Sequence, residues 1–228
     1  SFPTRRSSDL FKKLLDFTGT FWKKEPINAK QEFYDTCMSF YKDKTYSRVL
    51  KYYENFSQTD EETVVNGISL PKTMNMLDSL DWNYIASGLP GRFHGDFHFE
   101  NIIYDEKSDK FTFLDWRQNF GSSLKTGDIY YDLAKLLHGL IICHELIAQN
   151  RFSVDMNQNR VEYSFERKDI LIECEKYYYE YLKTQGYDVK KVKILTALIY
   201  LNIAALHHFP YCHLLYFLGK KMLFENLI

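Results

Sequence analysis

Two short apolar runs, Asn101 to Tyr104 and Phe111 to Leu114, flank the polar stretch Asp105-Glu106-Lys107-Ser108-Asp109-Lys110, and this pattern constrains the chain more than any other. It is the signature of a β-hairpin with a loop of moderate length. Such a hairpin puts Asn101 at the start of one strand and Asp115 at the end of the other. Antiparallel pairing then places the two side by side at the same end of the ladder. Immediately upstream runs Phe93-His94-Gly95-Asp96-Phe97-His98-Phe99-Glu100-Asn101, with His, Asp and Asn in the order H-x-D-x-x-x-x-N. The expectation is a loop carboxylate, Asp96, set against an amide and a second carboxylate that the hairpin brings together.

That set suits phosphoryl transfer, which needs one carboxylate facing the attacking hydroxyl and an amide plus a second carboxylate on Mg²⁺. Asp96 is the candidate base. Asn101 and Asp115 offer oxygens to the ion, and Mg²⁺ is content with few protein oxygens when water and substrate phosphates complete its shell. His94 is expected to support the loop through hydrogen bonds. His98 and Glu100 alternate with Phe97 and Phe99 and on that pattern face solvent, although a substrate contact by His98 stays open. Arg117 either holds a phosphate with both guanidinium arms or pairs with a nearby carboxylate. Asp105 reads as the start of the hairpin turn. Asp128 reads as the N-cap of the helix that follows, and Asp132, one turn on, as an acid bracing the loop. His207-His208 lacks metal-site spacing.

Composition excludes several classes. With 29 basic and 30 acidic residues the net charge is -1, so no basic field favours nucleic acid. Aromatic residues make up 17% of the chain, 18 Tyr and 18 Phe among them, so core and pocket walls should be ring-rich. The cysteines at 37, 143, 174 and 212 form no C-x-x-C pair and read as reduced, buried thiols in a cytoplasmic protein. No signal peptide is visible, and the longest apolar stretch, Ile194 to Leu206, is too short for a bilayer and reads as a buried helix.

Along the chain, apolar spacing predicts a helix from Leu10 to Lys24, ended before Pro26, and two more between Asn28 and Asn55. Loops are expected at Ser57 to Asp60, at Asn66-Gly67 and after Leu70-Pro71, with a short helix over Thr73 to Leu80 and a turn-rich lead over Ser87 to Gly91. After the catalytic loop and metal hairpin (93–117), a helix is expected over Asp128 to Ile147. A surface hairpin follows over Phe152 to Phe165, then helices over Lys168 to Lys183, Val189 to His208 and Cys212 to Asn226. The fold class is α+β and mostly helical, with little strand.

The segments Phe93 to Ile103, Leu114-Asp115-Trp116 and Gly127-Asp128-Ile129-Tyr130-Tyr131-Asp132-Leu133-Ala134 resemble the aminoglycoside phosphotransferase and choline kinase family. The resemblance covers Phe93 to about Leu137. It implies a protein-kinase-like fold and an ATP- and Mg²⁺-dependent transfer to a small-molecule hydroxyl on a sugar, aminoglycoside or amino alcohol. It also implies Asp96 as base, Asn101 and Asp115 as magnesium ligands, and Asp128 and Asp132 as loop supports. The string Asp115 to Gly121 is similar to phosphotransferases of bacterial capsule and surface-sugar biosynthesis.

The family pattern also demands a glycine-rich strand–turn–strand and a lysine upstream, and neither is found before Phe93. Residues 1–10, Ser1 to Leu10, resemble the translation of a short-read sequencing adapter and are set aside from the fold. The expectation is therefore that residues 11–228 are the large helical lobe, the C-terminal one, of a kinase-like fold whose N-terminal lobe is missing. A fragment of this kind has half a nucleotide cleft and should turn over little. Two other functions compete: a non-catalytic kinase-like module, and a metal-dependent hydrolase built on His94, Asp96 and Asp115, which requires His94 to face the ion. An acidic pocket lining would suit a cationic acceptor, and a neutral aromatic and polar lining a sugar. Oligomeric state leaves no mark on the sequence.

Overall fold

The computed structural model describes residues 6–24, 30–121 and 126–227. The chain is α+β and mostly helical. Helix α1 (Arg6–Phe21) begins inside the segment set aside above, so residues 6–10 are part of the fold, while Ser1 to Arg5 lie outside the described residues. It ends at Phe21; Pro26 and Asn28 also lie outside them.

Helices α2 (Lys30–Met38) and α3 (Lys44–Phe56) are not two separate rods. A π-helical turn, Ser39–Asp43, joins them, and the Lys44 N–H reaches back to the Ser39 carbonyl. No Gly or Pro marks the junction, and helical φ/ψ persist through it. Strands β1 (Thr63–Val65) and β2 (Ile68–Leu70) then form a hairpin about Asn66 and Gly67, both at positive φ (46° and 79°). That two-residue turn matches the right-handed twist of its strands. The Asn-Gly pair is thus a hairpin turn and not a plain loop; three-residue strands are too short for alternation to reveal.

Helices α4 (Thr73–Ser79) and α5 (Trp82–Ala86) lead to β3 (Pro90–Gly91). After the loop, β4 (Ile102–Asp105) and β5 (Lys110–Phe113) form the expected hairpin, with Asp105 closing its turn by accepting from the Lys107 N–H at 3.0 Å and the Ser108 hydroxyl at 2.6 Å. A two-residue strand, β6 (Gly127–Asp128), pairs antiparallel with β3 and delivers the chain into α6 (Ile129–Ile141). The helix expected over Asp128 to Ile147 is broken in two. Ile142 and Cys143 are extended, and α7 (His144–Ala148) starts afresh. Neither Gly nor Pro signals this break; Ile142 is drawn into the core instead (1% exposed).

Strands β7 (Phe152–Asn157) and β8 (Arg160–Phe165) form the second expected hairpin, but not an isolated one. β8 pairs parallel with β1, giving a four-stranded mixed sheet in the order β2-β1-β8-β7. Helices α8 (Asp169–Thr184), α9 (Val189–Ala204) and α10 (Tyr211–Leu227) complete the chain.

Helix α9 is the axle. It is buried on most of its circumference and packs against α3, α6 and α10, as its nearly unbroken apolar composition requires. Buried hydroxyls lock α6 in place. Tyr200 donates to the His138 carbonyl at 3.0 Å, Thr196 to the Ala134 carbonyl at 3.2 Å, and Tyr178 of α8 to the Leu133 carbonyl at 2.8 Å. Cys37, Cys174 and Cys212 are buried and all four cysteines are free thiols, but Cys143 is only half-buried, on the extended break after α6. Among the described residues no helix is long and apolar enough to cross a membrane.

Tyr200 offers a test of this bracing. Tyr200→Phe removes one hydrogen bond and should lower the unfolding free energy by about 0.5–1.5 kcal/mol. Tyr200→Ala also empties a core site and should lower it by about 3–5 kcal/mol. Urea titration reads both; equal losses would mean the hydroxyl, not the ring, carries the residue's role.

Candidate active site

The start of α6 holds the loop that carries Asp96. Asp128 caps the helix, its Oδ1 accepting from the Tyr130 N–H at 3.0 Å and from the Leu89 N–H at 2.8 Å, its Oδ2 from the Tyr41 hydroxyl at 2.7 Å. One turn later the fully buried Asp132 receives the Gly95 N–H on Oδ1 at 2.7 Å. Its Oδ2 takes the His94 N–H and, at 3.1 Å, the indole N–H of Trp22, the residue just past α1. One carboxylate therefore ties α1, the loop and α6 together. Burial pushes Asp132 up to about 7, against the pull of those three donors, and pushes Asp128 up as well.

The loop can turn sharply because Gly95 sits at φ +85°, where a Cβ would also lie 2.4 Å from the Arg117 Cβ. Beyond it, Asp96 points to solvent on one side (39% exposed) and to partners on the other. Its Oδ1 meets Lys135 Nζ at 2.7 Å and its Oδ2 meets His98 Nε2 at 3.3 Å. The Asn101 amide donates to the Asp96 backbone carbonyl at 2.9 Å and approaches Oδ2 at 3.4 Å. Burial alone would raise the Asp96 pKa; the His98 hydrogen bond and the Lys135 charge outweigh it and hold the carboxyl below its ordinary value.

Asn101 closes a single 3₁₀ turn, Phe99–Asn101, just before β4. The Leu114 N–H donates to its backbone carbonyl at 2.9 Å, which extends the ladder one step beyond β5 and brings the segment bearing Asp115 alongside. Asp115 itself is exposed and left-handed, with φ +52°. Among the described residues its carboxylate receives no hydrogen bond and pairs with no cation, and no donor reaches the Asn101 side-chain oxygen. Two unclaimed oxygens of this kind are what Mg²⁺ accepts from a protein when nucleotide phosphates and water complete its shell. Among the described residues no three His, Cys, Asp or Glu side chains form a closed metal site.

Asp96 and Asp115 line one cavity of about 350 Å³. It falls within the range of roughly 300–1,000 Å³ usual for small-molecule sites. Its walls also carry Arg117, Lys135, Lys44 and Arg48, with Tyr131, Asn202, Ile199, Ile203 and Leu206. A larger cavity, of about 500 Å³, lies beyond His98 between β4 and α7; neither Asp96 nor Asp115 lines it.

Several expectations change. His98 does not face solvent: it is mostly buried (14% exposed), between Asp96 and Glu100. His94 is fully buried, its ring against Phe97, Phe113 and Trp116, and is absent from the cavity wall. The observation that a hydrolase built on His94 requires is therefore missing. Its Nδ1 instead accepts the Asp96 N–H at 3.3 Å, which is loop support, and burial holds its pKa down. Arg117 pairs with no carboxylate among the described residues and lies over the Phe40 and Tyr131 rings, 5.4 and 5.8 Å from their centroids.

Lys135, Lys44 and Arg48 were not foreseen. Lys135 stands three residues after Asp132 on α6, hence on the face that meets the loop. Lys44 and Arg48 are an i, i+4 pair on α3, on a helix read from sequence only for its apolar stripe.

Residues 56–150 match the model of the phosphotransferase enzyme family. The phosphotransferase match takes in Asp96, Asn101, Asp115, Asp128, Asp132 and Lys135 but stops short of Lys44 and Arg48. No curated protein and no solved structure gives a significant match to the chain.

Asp132→Asn keeps the shape but trades an acceptor for donors, leaving at least one of three buried N–H groups unmet. It should lower stability by about 1–3 kcal/mol. Because the folded-state pKa lies above the unfolded one, the wild-type carboxyl stabilises most at low pH and loses ground as pH rises from the ordinary carboxylate range through about 7. The stability gap between wild type and variant should therefore narrow from pH 5 to pH 8 in paired denaturant titrations; a widening gap would reverse the sign.

Proposed function

We propose that this chain is the phosphoryl-transfer lobe of an ATP- and Mg²⁺-dependent small-molecule kinase with a kinase-like fold, the catalytic loop and metal hairpin lying in its large helical lobe. The observation that carries this reading is the meeting of Asp96 and Asp115 in one cavity, with the Asn101 amide hydrogen-bonded to Asp96.

Asp96 would face the acceptor hydroxyl. Its lowered pKa makes it a weak base, so its main contribution is orientation, and it takes the proton late. That suits a loose transition state in which positioning does most of the work. Lys135 holds one carboxylate oxygen, and His98 with Asn101 the other, so the rotamer is fixed before substrate arrives. Asn101 and Asp115 would hold Mg²⁺, which when bound neutralises the charge on the nucleotide phosphates. Arg117 and Lys135 are placed to meet the phosphoryl group in transit, and a guanidinium without a carboxylate partner is free to grip it with both arms.

A non-catalytic kinase-like module is the second reading. It loses support because Asp96, Asn101 and Asp115 are all present and adjoining. The residues between Lys30 and Leu89 hold the α2–α3 rod, a small hairpin and two short helices, and no glycine-rich strand–turn–strand is described among them. The activity is therefore proposed for the protein that includes a nucleotide-binding lobe.

The test uses the longest natural chain containing these residues. Magnesium-dependent ATP consumption should appear with a hydroxylated acceptor from a panel of sugars, acidic sugars and amino alcohols. Asp96→Asn should reduce kcat by about 10²–10⁴-fold. Turnover that survives this substitution would remove Asp96 as the base, and no nucleotide turnover with any acceptor would favour the binding module.

A further inference from the structure

The cavity that holds Asp96 and Asp115 is basic. Four cations line it, Lys44, Arg48, Arg117 and Lys135, against two carboxylates, and among the described residues only Lys135 is matched, by Asp96. Among the described residues no carboxylate comes within ion-pair distance of Lys44, Arg48 or Arg117. Neither an acidic lining nor a neutral one is present, so neither a cationic nor an uncharged acceptor is what this wall complements. On the phosphotransfer reading above, we propose that the acceptor is an anionic hydroxyl compound, such as an acidic or phosphorylated sugar, whose carboxylate or phosphate is held by Lys44 and Arg48.

Three observations carry it. First, Lys44, Arg48 and Arg117 are crowded together with no carboxylate at ion-pair distance among the described residues. Lys44 Nζ lies 4.3 Å and Arg117 Cζ 5.4 Å from the centroid of one ring, Phe40, so both heads converge on the same place. Burial, then repulsion from Arg117, Arg48 and Lys135, pushes Lys44 down to about 8. Positive groups walled into a shared recess without counterions repel one another, and a bound anion relieves that repulsion.

Second, the charge is spread too widely for one transferred phosphoryl group. Arg48 stands one helical turn beyond Lys44 on α3, about 6 Å along the axis. Arg117 and Lys135 suffice beside Asp96 for the group in transit. Third, part of the lining suits a carbon skeleton. Ile199, Ile203 and Leu206 supply apolar surface beside the cations.

The experiment titrates the 228-residue chain, without nucleotide, with glucuronate, glucose 6-phosphate, glucose and glucosamine, by calorimetry or NMR. The two anions should bind at least tenfold tighter than glucose or glucosamine. That preference should shrink with added salt and be lost in Arg48→Gln and in Lys44→Gln. Equal or reversed order, or a preference untouched by both substitutions, would overturn the proposal. If a variant fails to fold, the wild-type order of the four ligands decides alone.

A further arm adds the non-hydrolysable ATP analogue AMP-PNP with Mg²⁺. Competition between it and glucuronate, with Arg48→Gln weakening the nucleotide, would assign these cations to the nucleotide and overturn the proposal. Turnover that prefers glucose or glucosamine would keep the phosphotransfer reading and overturn this one. Anion-selective binding in a protein that phosphorylates no acceptor would support the anion site and overturn the phosphotransfer reading instead.

Discussion

A single buried carboxylate organises this molecule. Asp132 has no exposure to water and accepts three N–H groups from two distant parts of the chain, the Trp22 indole and the backbone at His94 and Gly95. Removing a carboxylate from water is expensive, and hydrogen bonds to the charged form are what offset it. The loop cannot drift without leaving that charge unmet, so the position of Asp96 follows from the position of α6. The position of α6 in turn follows from α9 and α8, whose hydroxyls grip its carbonyls. Rigidity therefore runs outward from the core axle to the cavity, and Asp115 alone of these carboxylates has no partner among the described residues.

The two acids of α6 and the two acids of the cavity divide their tasks by environment. Asp128 and Asp132 are sealed, hydrogen-bonded on both oxygens and displaced upward in pKa. Asp96 is part-exposed, paired with a lysine and displaced downward. The same side chain is thus a sealed strut in one place and a part-exposed, ion-paired group in the other. Burial sets that division more than sequence spacing does, since all four acids lie within the matched segment.

Features governed by local rules were legible in the sequence. The hairpin that brings the Asn101 and Asp115 segments together, the Asp128 cap, the Asp132 brace and the long buried helix all follow from alternation, turn chemistry and helical period. What stayed hidden was non-local. The β1–β8 pairing joins segments nearly a hundred residues apart, and nothing in either strand names its partner. Lys44 and Arg48 carry no signal in the sequence, because their meaning depends on which face of α3 turns to the cavity. The roles of His94 and His98 were separated only by depth: one ring is sealed among aromatics while the other touches the Asp96 carboxylate.

The π-helical turn at Ser39–Asp43 has a bearing on charge as well as on shape. A π turn accommodates one residue more than the α-helix it interrupts, and one residue is about 100° of rotation. Everything downstream on α3 is thereby re-phased against everything upstream on α2. Were the rod an unbroken α-helix, Lys44 and Arg48 would swing about a quarter of a turn off their present bearing, while Phe33 and Cys37 stayed seated in the core. A lone surplus residue, hidden in the middle of a helix, thus works like the index mark on a dial: it sets which polarity of visitor the neighbouring recess greets.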